Sequence, residues 1–296
     1  MELVPLGPGF GVEVRGVSLI DVASSDAAYA AVRAAFEEHS VLLFRDQAIT
    51  DDVQSAYSRA FGPLELTKVS AIGTGTFYVR LTNIGPDGAT VPPTHRQALT
   101  ARANQLWHTD SSFKQTPALA SVLSARVLPG EGGETQFAST RLAWDRLPAA
   151  MQEKLRDAVA THSWANSRNQ IDPGMVTADE HKTLPPVRWR MSWRNPVNGR
   201  RALYIASHAY AIEGMGDNEA KALLARLIED ATRPEYTWLH KWRAGDVIMW
   251  DNRASMHRGR PWPGSQTRTM VRTTIAATDA DGVAELRPPA PLPRAA

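Results

Sequence analysis

The feature that most constrains this chain is a short His-x-Asp, His108-Thr109-Asp110, answered far downstream by His257 and, eleven residues later, by Arg268. Side chains two positions apart on an extended segment share a face, so His108 and Asp110 can reach one metal ion. The third ligand need only be near them in space. His257 follows the segment GDVIMW and the loop DNRASMH, and a strand end plus a loop is a good place for a rim ligand. Two imidazoles and one carboxylate hold three cis positions of an octahedral metal and leave three open. That is the ligand set of mononuclear non-haem Fe(II) sites that take a chelating co-substrate and O2.

Around these residues the chain reads as short strands separated by Gly and Pro turns, with a few helices. Residues Phe10 to Leu19 read as an early strand or hairpin, and SVLLFRD as a buried strand ending near Arg45. Asp26 to Glu38 has Val32 and Phe36 at helical spacing with Ser24 or Ser25 as cap, and Thr50 to Phe61 is a capped amphipathic helix stopped by Gly62-Pro63. Two strands are expected between Leu66 and Asn83, then a long polar loop from Gly85 to Asn104 that runs into the His-x-Asp. Further strands follow at Ala118 to Val127, Glu134 to Ala138, Leu203 to Ile205, Val247 to Trp250 and Met270 to Ala276. Leu142 to Val159 and Asp217 to Ala231 read as helices, and His162 to Pro196 as an irregular insertion over one mouth of the core.

This pattern predicts a mainly β fold with flanking helices around a double-stranded β-helix, or jelly-roll, core. It predicts one domain over 1–284, loop insertions near 67–102 and 162–194, and a Pro-rich, disordered tail over 285–296.

The charge balance, 33 basic against 31 acidic residues, carries no polyanion-binding signature, so nucleic acid is not an expected partner. With no cysteine, a disulfide framework and a Cys-ligated metal are excluded, and a reducing compartment fits. The N-terminus lacks the basic start and apolar stretch of a signal peptide, and no run approaches the roughly 20 apolar residues that span a bilayer. The expectation is a soluble, cytoplasmic protein without a membrane partner. No GxGxxG or GxxxxGKS occurs, which argues against nicotinamide and P-loop enzymes.

After His257 the chain reads HRGRPWPGSQTRTMVRTTI. Arg268 and Arg272 lie four apart, an even separation that keeps both on one face of an extended strand. Charges buried in a barrel need partners, and a guanidinium fork holds a carboxylate bidentately. Two such arginines imply two acidic ligands, a dicarboxylate co-substrate and a substrate. Thr135, after a glycine turn, supplies a hydroxyl donor. Zinc is the chemical rival, since two His and one carboxylate also suit a catalytic Zn2+. A hydrolase would need a base for bound water, and no HExxH is present. A cupin-like binding protein without turnover is the alternative from another class.

The segments NQLWHTDSSF, SARVLPGEGGETQFAS, GDVIMWDNRASMHRG and RTMVRTTI together resemble the Fe(II)/2-oxoglutarate-dependent dioxygenases related to taurine dioxygenase, and within them the 2,4-dichlorophenoxyacetate dioxygenase type. The likeness runs from GVEVRGVSL to TTIAATD. It implies Fe(II) on His108, Asp110 and His257, the distal carboxylate of 2-oxoglutarate on Arg268 and Thr135, and O2 as second co-substrate. It further implies a substrate acid group on Arg272, with Lys68 as a basic pocket residue. Asn104 flanks the first ligand and His208 follows a strand; both are candidates to line the substrate pocket.

The resemblance also implies the reaction. An aryloxyalkanoate would be hydroxylated at its ether-linked carbon, giving a phenol and glyoxylate with succinate and CO2. The same chemistry on a sulfonate such as taurine, or on another small organic acid, is the alternative. Relatives form homo-oligomers, so a homo-oligomer is expected.

Overall fold

A computed structural model describes residues 1–67 and 75–290. Its strands are β1 (Glu2–Pro5), β2 (Val12–Arg15), β3 (Val41–Phe44), β4 (Tyr78–Thr82) and β5 (Ala118–Val127). Then come β6 (Thr135–Ser139), β7 (Val159–His162), β8 (Val187–Arg190), β9 (Ser192–Arg194) and β10 (Arg201–Leu203). The last are β11 (Ala209–Ile212), β12 (Thr237–His240), β13 (Val247–Asp251), β14 (Ser255–Gly259) and β15 (Thr269–Ala276). The helices are α1 (Leu19–Ser24), α2 (Asp26–His39), α3 (Asp51–Phe61), α4 (Arg96–Ala103) and α5 (Thr140–Arg146). They continue with α6 (Ala149–Arg156), α7 (Trp164–Asn169), α8 (Ala178–Thr183), α9 (Asp217–Ala231) and α10 (Val283–Leu286).

The main sheet runs β1-β2-β3-β13-β5-β15-β4 and is antiparallel except for the parallel pair β2/β3. Its centre is β13, every residue of which is buried between β3 and β5. That explains its unbroken apolar run: a strand covered on both faces needs no alternation. A second sheet, β12-β6-β14, lies opposite. Phe137 of β6 packs edge-on against Trp250 of β13 at 5.6 Å, inside a cluster with Leu43, Leu123 and Met270. The space between these two sheets, toward one end, is where the site forms.

Two devices fix this frame. On α3, the buried Gln54 donates Nε2 to the carbonyls of Val122 (2.9 Å) and Val271 (3.0 Å), so the helix supplies hydrogen bonds to the sheet beneath it. In the β13–β14 turn, Arg253 reaches Asp251 through Nε at 2.9 Å and Glu37 of α2 through Nη2 at 2.7 Å. All three are buried. This network holds the turn that leads into His257.

Several expectations need correction. The segment Gly85 to Asn104 is not all loop, because α4 lies within it; only Ala103 of that helix is buried, so no apolar stripe announced it. Leu142 to Val159 is not one helix. Leu147 takes extended backbone (φ −66, ψ 141) before Pro148, which separates α5 from α6, and Val159 opens β7. The 162–194 insertion contains α7, α8, β8 and β9. Order also continues beyond 284: Leu286 of α10 is 1% exposed, so the tail starts later than the composition implied. Of the two strands expected between Leu66 and Asn83, β4 is present; residues 68–74 lie outside the described residues, as do 291–296. Among the described residues no helix is long and apolar enough to cross a membrane.

Candidate active site

His108 and His257 meet in one antiparallel β-bridge. The His108 amide donates to the His257 carbonyl at 2.9 Å, and the His257 amide returns a bond to the His108 carbonyl at 2.8 Å. That pairing places the two rings 4.1 Å apart. Asp110 turns in beside them, and one ligand atom from each of the three lies within 4.8 Å of the others. All three residues are buried.

The donor set fits a metal. His108 Nδ1 is engaged with the Leu106 carbonyl at 2.8 Å, which leaves Nε2 for the cluster. His257 Nε2 stands 3.7 Å from Asp110 Oδ2, while its Nδ1 is buried without a partner. Burial pushes both imidazoles below the ordinary histidine value. They are therefore neutral at pH 7, the form that ligates. Burial opposes ionisation of Asp110, but the Arg272 guanidinium, helped by the Ser121 hydrogen bond, outweighs it and holds the carboxyl far below the usual range.

Asn252 arranges the His-x-Asp segment. Its Oδ1 accepts from the Asp110 amide (3.0 Å), from Trp250 Nε1 (3.1 Å) and from Thr109 Oγ1 (3.2 Å). Its Nδ2 donates to Ser121 Oγ at 3.1 Å, and Ser121 in turn donates to Asp110 Oδ2 at 2.7 Å. The other carboxylate oxygen, Oδ1, accepts from Arg272 Nη1. Asn252 and Ser121 were not legible from sequence; the available signal was an Asn in the turn just before His257.

The cluster opens into a cavity of about 700 Å3 lined by His108, His257, Thr135, Arg268, Arg272 and Trp262, among others. Arg268 is 7% exposed, and no carboxylate of the described residues pairs with it. Its Nη2 donates to the Gly133 carbonyl at 3.0 Å, its guanidinium lies 5.0 Å over the Trp262 ring, and its Nε has no partner. Burial pulls its pKa down to about 10, so it remains a cation at neutral pH. Thr135 Oγ1 accepts from Trp242 Nε1 at 3.0 Å, which leaves its hydroxyl proton free to point into the cavity.

Asn104, at the C-terminal end of α4, lines the same cavity, and its carbonyl accepts from the Gly259 amide at 2.9 Å. His208 is buried with its ring 6.4 Å from that of His108; Nδ1 meets Ser112 Oγ at 3.3 Å and Nε2 has no partner. Trp250 is fully buried and packs 4.4 Å from the His257 ring. Lys68 lies outside the described residues.

Comparison with known proteins identifies the family. The profile of the family described as "Taurine catabolism dioxygenase TauD, TfdA family" matches residues 2–274. An alpha-ketoglutarate-dependent 2,4-dichlorophenoxyacetate dioxygenase of Cupriavidus pinatubonensis (strain JMP 134 / LMG 1197) is 38% identical over 275 residues, 91% of this chain and 96% of that protein. An (S)-phenoxypropionate/alpha-ketoglutarate-dioxygenase of Sphingobium herbicidovorans is 32% identical over 292 residues, 96% and 97% of the two chains. The crystal structure of AAD-2 in complex with Mn(II) and N-oxalylglycine superimposes with a TM-score of 0.86 at 37% identity, covering 94% of this chain and 98% of that one. The chain belongs to the taurine catabolism dioxygenase TauD, TfdA family.

Proposed function

We propose that this chain is an Fe(II)/2-oxoglutarate-dependent dioxygenase that hydroxylates the ether-linked carbon of an aryloxyalkanoate of the phenoxyacetate type. One oxygen atom of O2 enters that carbon and the other enters succinate as 2-oxoglutarate loses CO2. The hydroxylated carbon is a hemiacetal, which collapses to a phenol and glyoxylate. Fe(II), held by His108, Asp110 and His257, supplies the redox chemistry that activates O2.

The chain's own residues do the placing. Arg268 offers a guanidinium with no internal carboxylate, and with Thr135 it holds the distal carboxylate of 2-oxoglutarate. Arg272 lines the cavity with Nη1 on Asp110 and Nε unpartnered, so its second edge serves the substrate's acid group. Tyr78, Leu81, Leu123 and Trp250 line apolar wall suited to an aryl ring. Asn104, His208 and Lys68 belong to the substrate side in this assignment. The observation that carries it is a buried His108–Asp110–His257 cluster whose histidines open onto the same cavity as Arg268, a buried arginine with no ion-pair partner among the described residues.

The same proposal takes the two facing sheets as the halves of a jelly roll, residues 1–284 as one catalytic domain, and the protein as a cytoplasmic homo-oligomer. Anaerobic loading with Fe(II) and 2-oxoglutarate, then O2 with a panel of acids, tests it. Coupled release of succinate and phenol from phenoxyacetates is expected. Succinate with sulfite from taurine would keep the class and replace the substrate. No turnover, and no visible absorption from the Fe(II)–keto-acid chelate, would overturn the assignment.

A further inference from the structure

The turn from β12 into β13 folds back onto the site. His240, the last residue of β12, stands opposite Thr135 in the ladder with β6. Two residues on, Trp242 turns its indole toward that same threonine and donates Nε1 to Thr135 Oγ1 at 3.0 Å. Thr135 lines the cavity and Trp242 does not. The reaction uses the threonine hydroxyl and leaves the indole behind it without a role.

The turn is a firm mount for that indole. Asp246 is buried at its end, and its carboxylate accepts from the Arg243 amide at 2.9 Å and from Arg45 Nη1 at 3.1 Å. His240 Nε2 meets the same carboxylate at 3.0 Å. The His240 ring in turn stands edge-on to Trp242, with centroids 4.6 Å apart and planes at 89°. Gly245, at φ +79, closes the loop and accepts from the Gln47 amide at 2.9 Å. The Trp242 side chain gives no hydrogen bond to the turn itself; its one printed bond goes to Thr135.

The chemistry of the pair gives the bond a direction. An indole N–H can only donate, while a threonine hydroxyl carries one proton and two lone pairs. With a lone pair taken by Trp242, the Thr135 proton points away from the indole, and no described residue accepts it. The donated bond also polarises the hydroxyl and makes it a stronger donor to an anion. Without the indole the hydroxyl is free to rotate, and a carboxylate must order it on binding. We infer that Trp242 is a positioning residue for 2-oxoglutarate, acting through Thr135 to fix and polarise the hydroxyl that meets the distal carboxylate. This rests on the co-substrate assignment above and adds to it a residue outside the cavity.

A double-mutant cycle tests it, read as the Kd of 2-oxoglutarate from the visible absorption of the anaerobic Fe(II) complex. The proteins are wild type, Trp242→Phe, Thr135→Val and the double variant. Trp242→Phe keeps an aromatic ring on His240 and removes only the donor. It should raise Kd roughly three- to tenfold, the net worth of one hydrogen bond. Thr135→Val should raise it by about ten- to a hundredfold, the worth of a bond to a charged group. In the Thr135→Val background Trp242→Phe should then change Kd by less than about twofold, because the hydroxyl it orients is gone. A purely structural tryptophan would act by the same factor in both backgrounds. Mn(II) affinity without 2-oxoglutarate should stay within about twofold throughout. Benzothienylalanine at position 242, an indole isostere with sulfur in place of N–H, repeats the comparison if Trp242→Phe does not fold. Equal factors in the two backgrounds, or a wild-type Kd in Trp242→Phe, would overturn the inference alone. A wild-type protein that binds Mn(II) but forms no chelate with Fe(II) and 2-oxoglutarate would overturn the co-substrate assignment, and this role with it.

Discussion

A Cβ added at Gly133 would sit 2.9 Å from Nε of Arg268 and 3.1 Å from its Cδ. The glycine also holds φ at +70, where L side chains are strained. Gly133 therefore clears the space in which Arg268 lies and accepts its Nη2 hydrogen bond. Gly133→Ala is expected to push the guanidinium toward the cavity. KM for 2-oxoglutarate should rise about tenfold, with a smaller change in KM for the primary substrate. Titration of the anaerobic Fe(II) complex with 2-oxoglutarate checks this, and unchanged affinity would break the link.

Asn252 does not line the cavity, yet three donors converge on its Oδ1 and two of them belong to the His-x-Asp segment. Asn252→Ala leaves the Asp110 amide and Trp250 Nε1 without their acceptor. Outer contacts of this kind are worth about 10–100-fold in metal affinity. The variant should bind Fe(II), or Mn(II) as a redox-silent probe, that much more weakly while remaining folded. Affinity equal to wild type would reduce Asn252 to a local packing role.

The Arg253 network links helix α2 to the turn before His257. Removing one partner from a buried charge cluster costs about 3–5 kcal/mol, because the remaining charges stay buried. Arg253→Met should lose about that much in denaturant unfolding. Wild-type stability carries the matching pH signature. Burial opposes ionisation of Glu37, but Arg253 and Arg33 overcome it and lower the carboxyl below 4.5. A depressed carboxyl contributes stability that is complete above its unfolded value and disappears as pH falls through its folded value. Wild type should therefore lose stability below about pH 4.5. A Glu37→Gln variant should show a shallower acid limb.

Metal and co-substrate should stabilise the fold through the same site. A ligand at 100 times its Kd adds about 2.7 kcal/mol. Mn(II) with 2-oxoglutarate should raise Tm by several degrees, and chelation should reverse it. In Arg268→Ala the metal increment should persist and the 2-oxoglutarate increment should vanish. Loss of both would mean that Arg268 supports the metal centre itself.

The residues legible in the sequence were those whose chemistry is unusual for their setting. His108, Asp110, His257 and Arg268 could be named because a metal needs neutral imidazole and carboxylate and a dicarboxylate needs a guanidinium. Strands β5, β13 and β15 and helix α9 were legible because burial on both faces, or on one helical stripe, leaves a periodic apolar record. Helix α4 left none, since it lies over the cavity rather than on the core. The sheet β12-β6-β14 was only partly visible, because its strands are short and carry polar residues toward the site.

By itself the sequence determined the inventory: two histidines and an aspartate suited to a metal, a pair of arginines four residues apart, and enough apolar strand to hold them. Only the tertiary structure decided the partners. It pairs His108 with His257 through a backbone bridge, turns Arg272 onto Asp110 and sets Gly133 under Arg268. Side-chain identity states which charges a chain possesses. Whether a charge is neutralised internally or kept for a ligand depends on which distant segments the sheets bring within hydrogen-bond reach.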